Sequence, residues 1–444
     1  MKIALVVPNG QINMGTMGNV ARPSLGVCYL KAYVSKYAQC TVKVFHQINE
    51  SNENITRQIL DFNPDLVGFS VMSCAFSAAL CIAKSIKETD SRIKTVFGGE
   101  HVTGLFVDET AYGSCLMSNA FYDNPCIDFF IPFEGERPLL GLIQGLKEKK
   151  DFQDVPGIVF WDGIRVCVTS RVERVLNLDD LPMADRSDLP YAKYHSPDDL
   201  SDLEYMHTTR GCKFKCIYCA TPVSNPGPVA KNSAERILFE MRFLKEQYNR
   251  KSFFFCDELF TTDRERIDTL SNGIINSDLR GRVDWRIFAR ADDVSGKRID
   301  LDLMSKAGLK GLFFGIETMN PRSLKKLGKK SNPEQSKEAI RRTYDAGIDV
   351  WCSLMIGYPW ETEIELRKSL DDYLEMFSMG FIKHTYVAFI TPFPGTPFYN
   401  YCSRNNLIVN PKFLDANCNE PVLKTPVSKE RMIEIYQEFI SLVA

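Results

Sequence analysis

Cys212-Lys-Phe-Lys-Cys216-Ile-Tyr-Cys219 places three thiols within eight residues, with three and then two residues between them, directly after Thr208-Thr-Arg-Gly211. A segment this short can curl round one small inorganic cluster and offer three thiolates to three metal atoms. A four-iron, four-sulfur cube so held keeps one iron without a protein ligand. Clusters that only carry electrons usually take a fourth cysteine, whereas an open coordination position lets a metal act on a substrate. The same residues admit two plainer readings: a zinc site with His207 as fourth ligand, or three buried structural thiols. Zinc asks for a closed tetrahedral set, and no paired Cys-x-x-Cys elsewhere in the chain completes one.

From this loop onward the chain alternates strand and helix patterns. Strands are expected at 205–208, 252–256, 284–289, 311–316, 350–356 and 385–390, separated by helices at 234–247, 265–276, 301–306, 333–345 and 363–377. Six such units fall short of the eight that close a barrel. Polar residues stand at successive strand ends: Asp257 and Glu258, Arg290, Glu317, then Glu361 in Ile356-Gly-Tyr-Pro-Trp-Glu361, then Thr391-Pro-Phe-Pro-Gly-Thr396. Carboxylates there suit an ammonium, and an arginine suits bidentate grip of a carboxylate. Taken singly, each is also a helix cap, a surface ion pair or a proline turn.

Upstream, a second alternating series occupies residues 1 to about 149. Strands are expected at 3–7, 42–45, 66–71, 94–97 and 128–131, with helices at 25–37, 54–62, 75–87 and 138–147. Continuous apolar runs in a β-α-β rhythm imply a doubly wound, Rossmann-like parallel sheet, in which ligands bind beyond the carboxyl ends of the strands. Ser70 and Ser73, Gly98, Gly99 and His101, and Glu134 and Gly135 stand at those ends. Glycines there let backbone approach a large ligand, or simply make tight turns. Residues 150–204 read as a linker in which Asp162-Gly163, between two apolar runs, signals a hairpin. Residues 401–444 read as a tail ending in a helix over 429–442.

The cysteine spacing, with aromatic Tyr218 before the last thiol, resembles the radical S-adenosylmethionine (radical SAM) superfamily. Arg22-Pro-Ser-Leu-Gly26, Pro64-Asp-Leu-Val-Gly68, Gly98-Gly-Glu-His101 and Glu134-Gly-Glu136 resemble the cobalamin-binding domain of B12-dependent radical SAM enzymes. The resemblance implies a [4Fe-4S] cluster on Cys212, Cys216 and Cys219 at the mouth of a partial (β/α)6 TIM-like barrel over 205–400. It implies S-adenosylmethionine contacts from Tyr218, Asp257, Glu258, Arg290, Glu317 and Glu361, and cobalamin contacts from Ser70, Ser73, Gly98, Gly99, His101, Glu134 and Gly135. No Asp-x-His-x-x-Gly sequence is present, so cobalamin is expected without a histidine lower ligand, and His101 is placed as a loop residue. The implied activity is reductive cleavage of S-adenosylmethionine to a 5′-deoxyadenosyl radical and C-methylation of an unactivated carbon in a small molecule or peptide, with electrons from a flavodoxin- or ferredoxin-type donor. The alternatives are oxidative cyclisation or rearrangement, or a cobalamin- or redox-responsive binding protein.

Composition is ordinary for a soluble globular protein, and the length allows two to three domains: 444 residues, 44% hydrophobic, 25% charged,. A formal net charge of -2 gives no electrostatic reason to expect a nucleic-acid or membrane partner. The basic run at 325–330 reads as a solvated loop or helix end. Fourteen scattered cysteines and a strand-like N-terminus point to free thiols in a reducing cytoplasm. The uncharged run 66–83 reads as a buried strand entering a helix.

Overall fold

The computed structural model describes residues 1–9, 22–194, 203–409 and 418–443. The end of the expected linker (195–202) and part of the expected tail (410–417) lie outside them.

The first sheet contains β1 (Lys2–Val7), β2 (Thr41–His46), β3 (Leu66–Ser70), β4 (Lys94–Gly98), β5 (Phe129–Ile131), β6 (Val159–Trp161) and β7 (Val166–Val168), in the order β2-β1-β3-β4-β5-β6-β7. Alternate residues of β1 serve opposite faces. Ile3 and Leu5 pack with Val27, Val34 and Leu142 of helices Leu25–Tyr37 and Glu136–Glu148, whereas Ala4 and Val6 pack with Ile59, Ala79 and Ile82 of helices Asn52–Phe62 and Phe76–Thr89. Coverage on both faces explains why the strands read as unbroken apolar runs. The run 66–83 is accordingly a strand and a helix, and among the described residues no helix is long and apolar enough to cross a membrane.

Five strands were expected here, and the sheet has seven. The Asp162-Gly163 hairpin forms as its turn chemistry requires: the Asp162 carboxylate accepts from the Ile164 and Arg165 amides, and Gly163 has φ +99°. It does not stand free in a linker, however, because β6 pairs antiparallel with β5 and extends the sheet.

The second sheet holds β8 (Leu203–Met206), β11 (Ser252–Phe255), β12 (Asp284–Ala289), β13 (Leu309–Glu317), β14 (Asp349–Ile356) and β15 (His384–Phe389), parallel throughout in the order β15-β14-β13-β12-β11-β8. A two-strand ribbon, β9 (Thr209–Arg210) with β10 (Ala230–Lys231), flanks it. The outer face packs Phe253, Phe255, Trp285 and Phe314 with the covering helices. The inner face carries a run of aromatic rings. Tyr205, Phe254, Phe288, Phe313 and Tyr386 meet in sequence at centroid distances of 5.9, 5.0, 4.8 and 4.9 Å. These rings occupy the interior of the half-barrel and leave its ligand chemistry to the carboxyl ends of the strands.

Those ends meet the first sheet. Gly104, in helix Glu100–Tyr112, lies so close to the 394–395 turn that a Cβ on it would stand 2.6 Å from the Pro394 carbonyl oxygen. Beside that contact the Gly395 amide donates to the buried Asp108 carboxylate at 3.1 Å. Arg174 ties the chain between the sheets to both sides, donating to Glu134 at 3.0 Å and to the Pro226, Pro228 and Arg210 carbonyls.

Candidate cluster and cofactor site

The thiol loop is fixed from several sides. Asp257 accepts from the Thr208 and Thr209 amides and the Thr208 hydroxyl, and Arg266 donates to Thr208. The Ile217 amide donates to the Leu327 carbonyl, and the Phe398 amide donates to the Ile217 carbonyl, both at 3.0 Å. Gly211 has φ +101°, which turns the chain sharply into Cys212 and favours glycine at that position.

All three thiols are half-buried. Burial pushes the Cys219 thiol up to about 11 and raises Cys212 as well. Ionisation of Cys212 and Cys219 therefore goes with binding a metal centre, which deprotonates its thiol ligands outright. Among the described residues no three His, Cys, Asp or Glu side chains converge tightly enough to ligate one ion. His207 lies in the wall of the cavity between the sheets, apart from the thiols.

Around this loop the strand-end residues divide into two groups. The Tyr218 hydroxyl donates to Glu317 Oε1 at 2.9 Å, and Lys329 Nζ pairs with the same oxygen at 2.7 Å and with the Gly315 carbonyl. Glu317 sits at φ +69° beside a register shift at Gly315, a left-handed conformation uncommon for a non-glycine residue and concentrated at functional sites. Arg290 lies 3.7 Å over the Phe214 ring of the thiol loop and donates through Nε to Asp292. Its Nη2 is buried with no hydrogen-bond partner among the described residues. Glu258 accepts from the Gly211 amide at 3.1 Å, and burial followed by the like charges of Asp257 and Glu100 pushes its carboxyl up to about 7.

Asp257 and Glu361 are engaged by neighbouring protein groups. The bonds from Thr208 and Thr209 use both Asp257 oxygens, and Glu361 is buried where Asn320 Nδ2 and Ser323 Oγ donate to it. Both carboxylates fix backbone and helix starts behind the site. Lys329 is the opposite correction: it is not part of a solvated basic run, for its side chain is 8% exposed and paired with Glu317.

On the other side of the interface, a cavity of about 260 Å³ runs between the carboxyl ends of β1, β3 and β4 and the start of the thiol loop. Ser70, Gly98, Gly99, Glu134 and Gly135 line it, with Arg210 and Glu258 opposite. A Cβ added at Gly26, also in the wall, would meet nothing within 4 Å. Gly99, at φ +96°, lets the chain pass over Val71, where a Cβ would come within 2.8 Å of the backbone. Small residues on one wall and an open floor fit a broad, flat ligand such as a corrin. Ser73 and His101 do not belong to this cavity. They bond to each other at 3.1 Å and line a smaller neighbour of about 160 Å³, and burial lowers His101 to about 4.

Two residues outside the expected set complete the geometry. Glu136 Oε1 accepts from Arg210 Nη2 at 2.7 Å, joining the N-terminal sheet to the residue two before Cys212. Both stood in stretches the sequence singled out, Glu134-Gly-Glu136 and Thr208-Thr-Arg-Gly211, but no local pattern announces a partner 74 residues away.

A family model described as the radical SAM superfamily matches residues 206–373, and one described as a B12 binding domain matches residues 12–112. The chain carries a B12-binding domain followed by a radical SAM domain. An uncharacterised methyltransferase of Pyrococcus horikoshii is 27% identical over 426 residues, 96% of this chain and 88% of that protein. An anaerobic magnesium-protoporphyrin IX monomethyl ester cyclase of Rubrivivax gelatinosus is 25% identical across 78% of this chain and 61% of its own length. Among solved structures, the cobalamin-dependent S-adenosylmethionine radical enzyme OxsB, with aqua-cobalamin and S-adenosylmethionine bound, superposes with a TM-score of 0.75 at 19% identity, covering 98% of this chain and 66% of that one. The chain thus spans less than two thirds of the cyclase and of OxsB. The three thiols, the unpaired Arg290 nitrogen and the glycine-walled cavity fit a cluster, S-adenosylmethionine and cobalamin respectively.

Proposed function

We propose that the protein is a cobalamin-dependent radical SAM methyltransferase acting on an unactivated carbon of a small molecule. The observation that carries this reading is that the thiol loop and the glycine-walled cavity share a wall: Arg210 and Glu258 line the same space as Gly98 and Gly99. When bound, S-adenosylmethionine at the cluster supplies the 5′-deoxyadenosyl radical, and cobalamin supplies the methyl group.

The chain's part is to hold and orient. Cys212, Cys216 and Cys219 would hold three irons of the cluster. Glu258 takes the methionyl ammonium, the free Arg290 nitrogen its carboxylate, and Glu317, positioned by Tyr218 and Lys329, the ribose hydroxyls. Ser70, Gly98, Gly99, Glu134 and Gly135 would border the corrin. Closure of the two sheets on each other excludes water from the radical. Electrons come from a flavodoxin- or ferredoxin-type donor in the cytoplasm.

The test is anaerobic reconstitution with iron, sulfide and cobalamin, then reduction in the presence of S-adenosylmethionine. Release of 5′-deoxyadenosine and S-adenosylhomocysteine together is expected, and both are lost in Cys216→Ala. Release of 5′-deoxyadenosine alone, with no methyl consumed once substrate is supplied, would favour cyclisation as in the cyclase relative. A sample with intact cluster that neither cleaves S-adenosylmethionine nor retains corrinoid absorbance refutes the proposal.

A further inference from the structure

The smaller cavity has a chemistry that the reading above leaves unused. Its walls come from both halves of the molecule: Met72 and His101 from the N-terminal sheet, Val223 just after the thiol loop, and Phe393 and Pro394 beyond β15. Glu100 and Ser224 line both this cavity and the larger one, so a molecule seated here lies against the cobalamin space. Ala220, next to Cys219, brings it against the cluster loop as well.

The charge inventory is one-sided. No lysine or arginine lines the smaller cavity. Its one histidine is kept neutral by burial and bonded to Ser73. In the larger cavity Glu134 is paired with Arg174, Glu136 with Arg210, and Glu258 accepts from the Gly211 amide. Glu100 makes no ion pair or hydrogen bond among the described residues, and its side chain keeps open surface where the two cavities meet. An open carboxylate without a protein partner on a cavity wall favours a cationic group, while thioether, valine, phenylalanine and proline walls favour a carbon skeleton.

Resting on the methyltransferase reading, we propose that Glu100 selects the substrate: the cavity takes a small molecule with an apolar body and a protonated amine, and rejects phosphates and carboxylates. The pairing is charge-assisted, and a phosphate would find an anion and no counter-charge. An acid at the first position of a helix is also favoured by the helix dipole, so the test must separate recognition from helix stability.

Reconstituted protein carrying cluster and cobalamin is titrated with four probes of like shape: phenethylamine, phenethyl alcohol, phenylacetate and phenyl phosphate, followed by ligand-observed NMR. The amine is expected to bind at least about tenfold more tightly than the alcohol, a difference of about 1.4 kcal/mol, and the two anions not to register. Glu100→Gln keeps the helix and the shape and is expected to erase the preference. Val223→Trp, which fills the cavity, is expected to abolish amine binding with Glu100 intact. Equal binding of amine and anions, or amine binding unchanged in Glu100→Gln, overturns the proposal. Binding is read without turnover, so a protein that selects amines yet never cleaves S-adenosylmethionine sinks the methyltransferase reading alone. One that turns over but shows no charge preference sinks this inference alone.

Discussion

Replacing Gly104 with alanine tests how the two halves are held together. The new methyl group would lie 2.6 Å from the Pro394 oxygen, and real contacts of this kind stay beyond 3.0 Å, so the helix and the 394–395 turn must separate by at least 0.4 Å. The Gly395 amide, bonded to Asp108 at 3.1 Å, moves with that turn. Overpacking of this sort costs about 1–3 kcal/mol, and a strained hydrogen bond to a buried carboxylate adds up to about 1.5–3 kcal/mol. Alanine returns about 1 kcal/mol through helix propensity, leaving a net loss of about 1.5–5 kcal/mol. The loss falls on docking and not on either sheet. Gly141→Ala is the control: it lies within helix Glu136–Glu148, and its methyl would meet only Val155 Cγ1 at an ordinary 3.4 Å, so it is expected to stabilise. Hydrogen exchange reads the difference. In Gly104→Ala, protection is expected to fall in residues 100–108 and 391–398 while β1 and β13 stay protected, and urea unfolding should separate into two transitions. If Gly104→Ala instead raises stability as Gly141→Ala does, with exchange at 391–398 unchanged, the docking argument fails.

Gly26→Leu projects into space where the added Cβ meets nothing within 4 Å. Thermal stability without cofactor should be retained while corrinoid retention after gel filtration falls at least tenfold. Arg210→Ala leaves Glu136 buried without its partner, which costs about 3–5 kcal/mol for a buried pair, and Arg210→Ala with Glu136→Leu should recover most of that loss in urea melts. His46, His101 and His207 are each lowered to about 4 by burial, so they stay neutral in the folded chain and gain protons first when it unfolds. The stability they contribute is present above pH 6.5 and is lost as pH falls toward 4. About 2 kcal/mol per histidine disappears between pH 7 and 5, and denaturant melts at the two pH values should show it and should flatten in His101→Phe.

Much of the fold was legible because both sheets are covered by helices, which turns their strands into apolar runs that periodicity finds. What periodicity cannot see is pairing. The hairpin at 162–163 was readable from its turn residues, but its attachment to β5 was not, since an edge strand carries no mark of the neighbour it joins. Asn232 and Glu235 stand at capping-box spacing, yet helix Ala234–Tyr248 does not start on Asn232. The chain uses Ser233, whose hydroxyl accepts from the Arg236 amide at 3.1 Å, and sends Asn232 to Asp179. The cysteine loop announced itself by spacing, a local property. The bonds from the Thr208 and Thr209 amides to Asp257 were not readable, because a strand-end acid looks alike whether it meets a ligand or a backbone amide.

The residues that the sequence hid are those that act across the interface. Arg210, Glu136, Asp108, Gly104 and Glu100 each derive their role from an element more than seventy residues distant or from a cavity that neither half forms alone. The thiol loop is anchored from the barrel by Asp257 and Leu327 and from the N-terminal sheet through Glu136 and Arg210. A substitution that separates the sheets therefore moves the cluster relative to the corrin cavity without touching a ligand to either. Near-attack geometry tolerates little displacement, with about 1 Å able to cost a hundredfold in rate. Gly104→Ala is accordingly expected to lower methyl transfer far more than it lowers release of 5′-deoxyadenosine, because the thiol loop and the strand-end residues assigned to S-adenosylmethionine lie on one side of the interface, and the reacting carbon must span both.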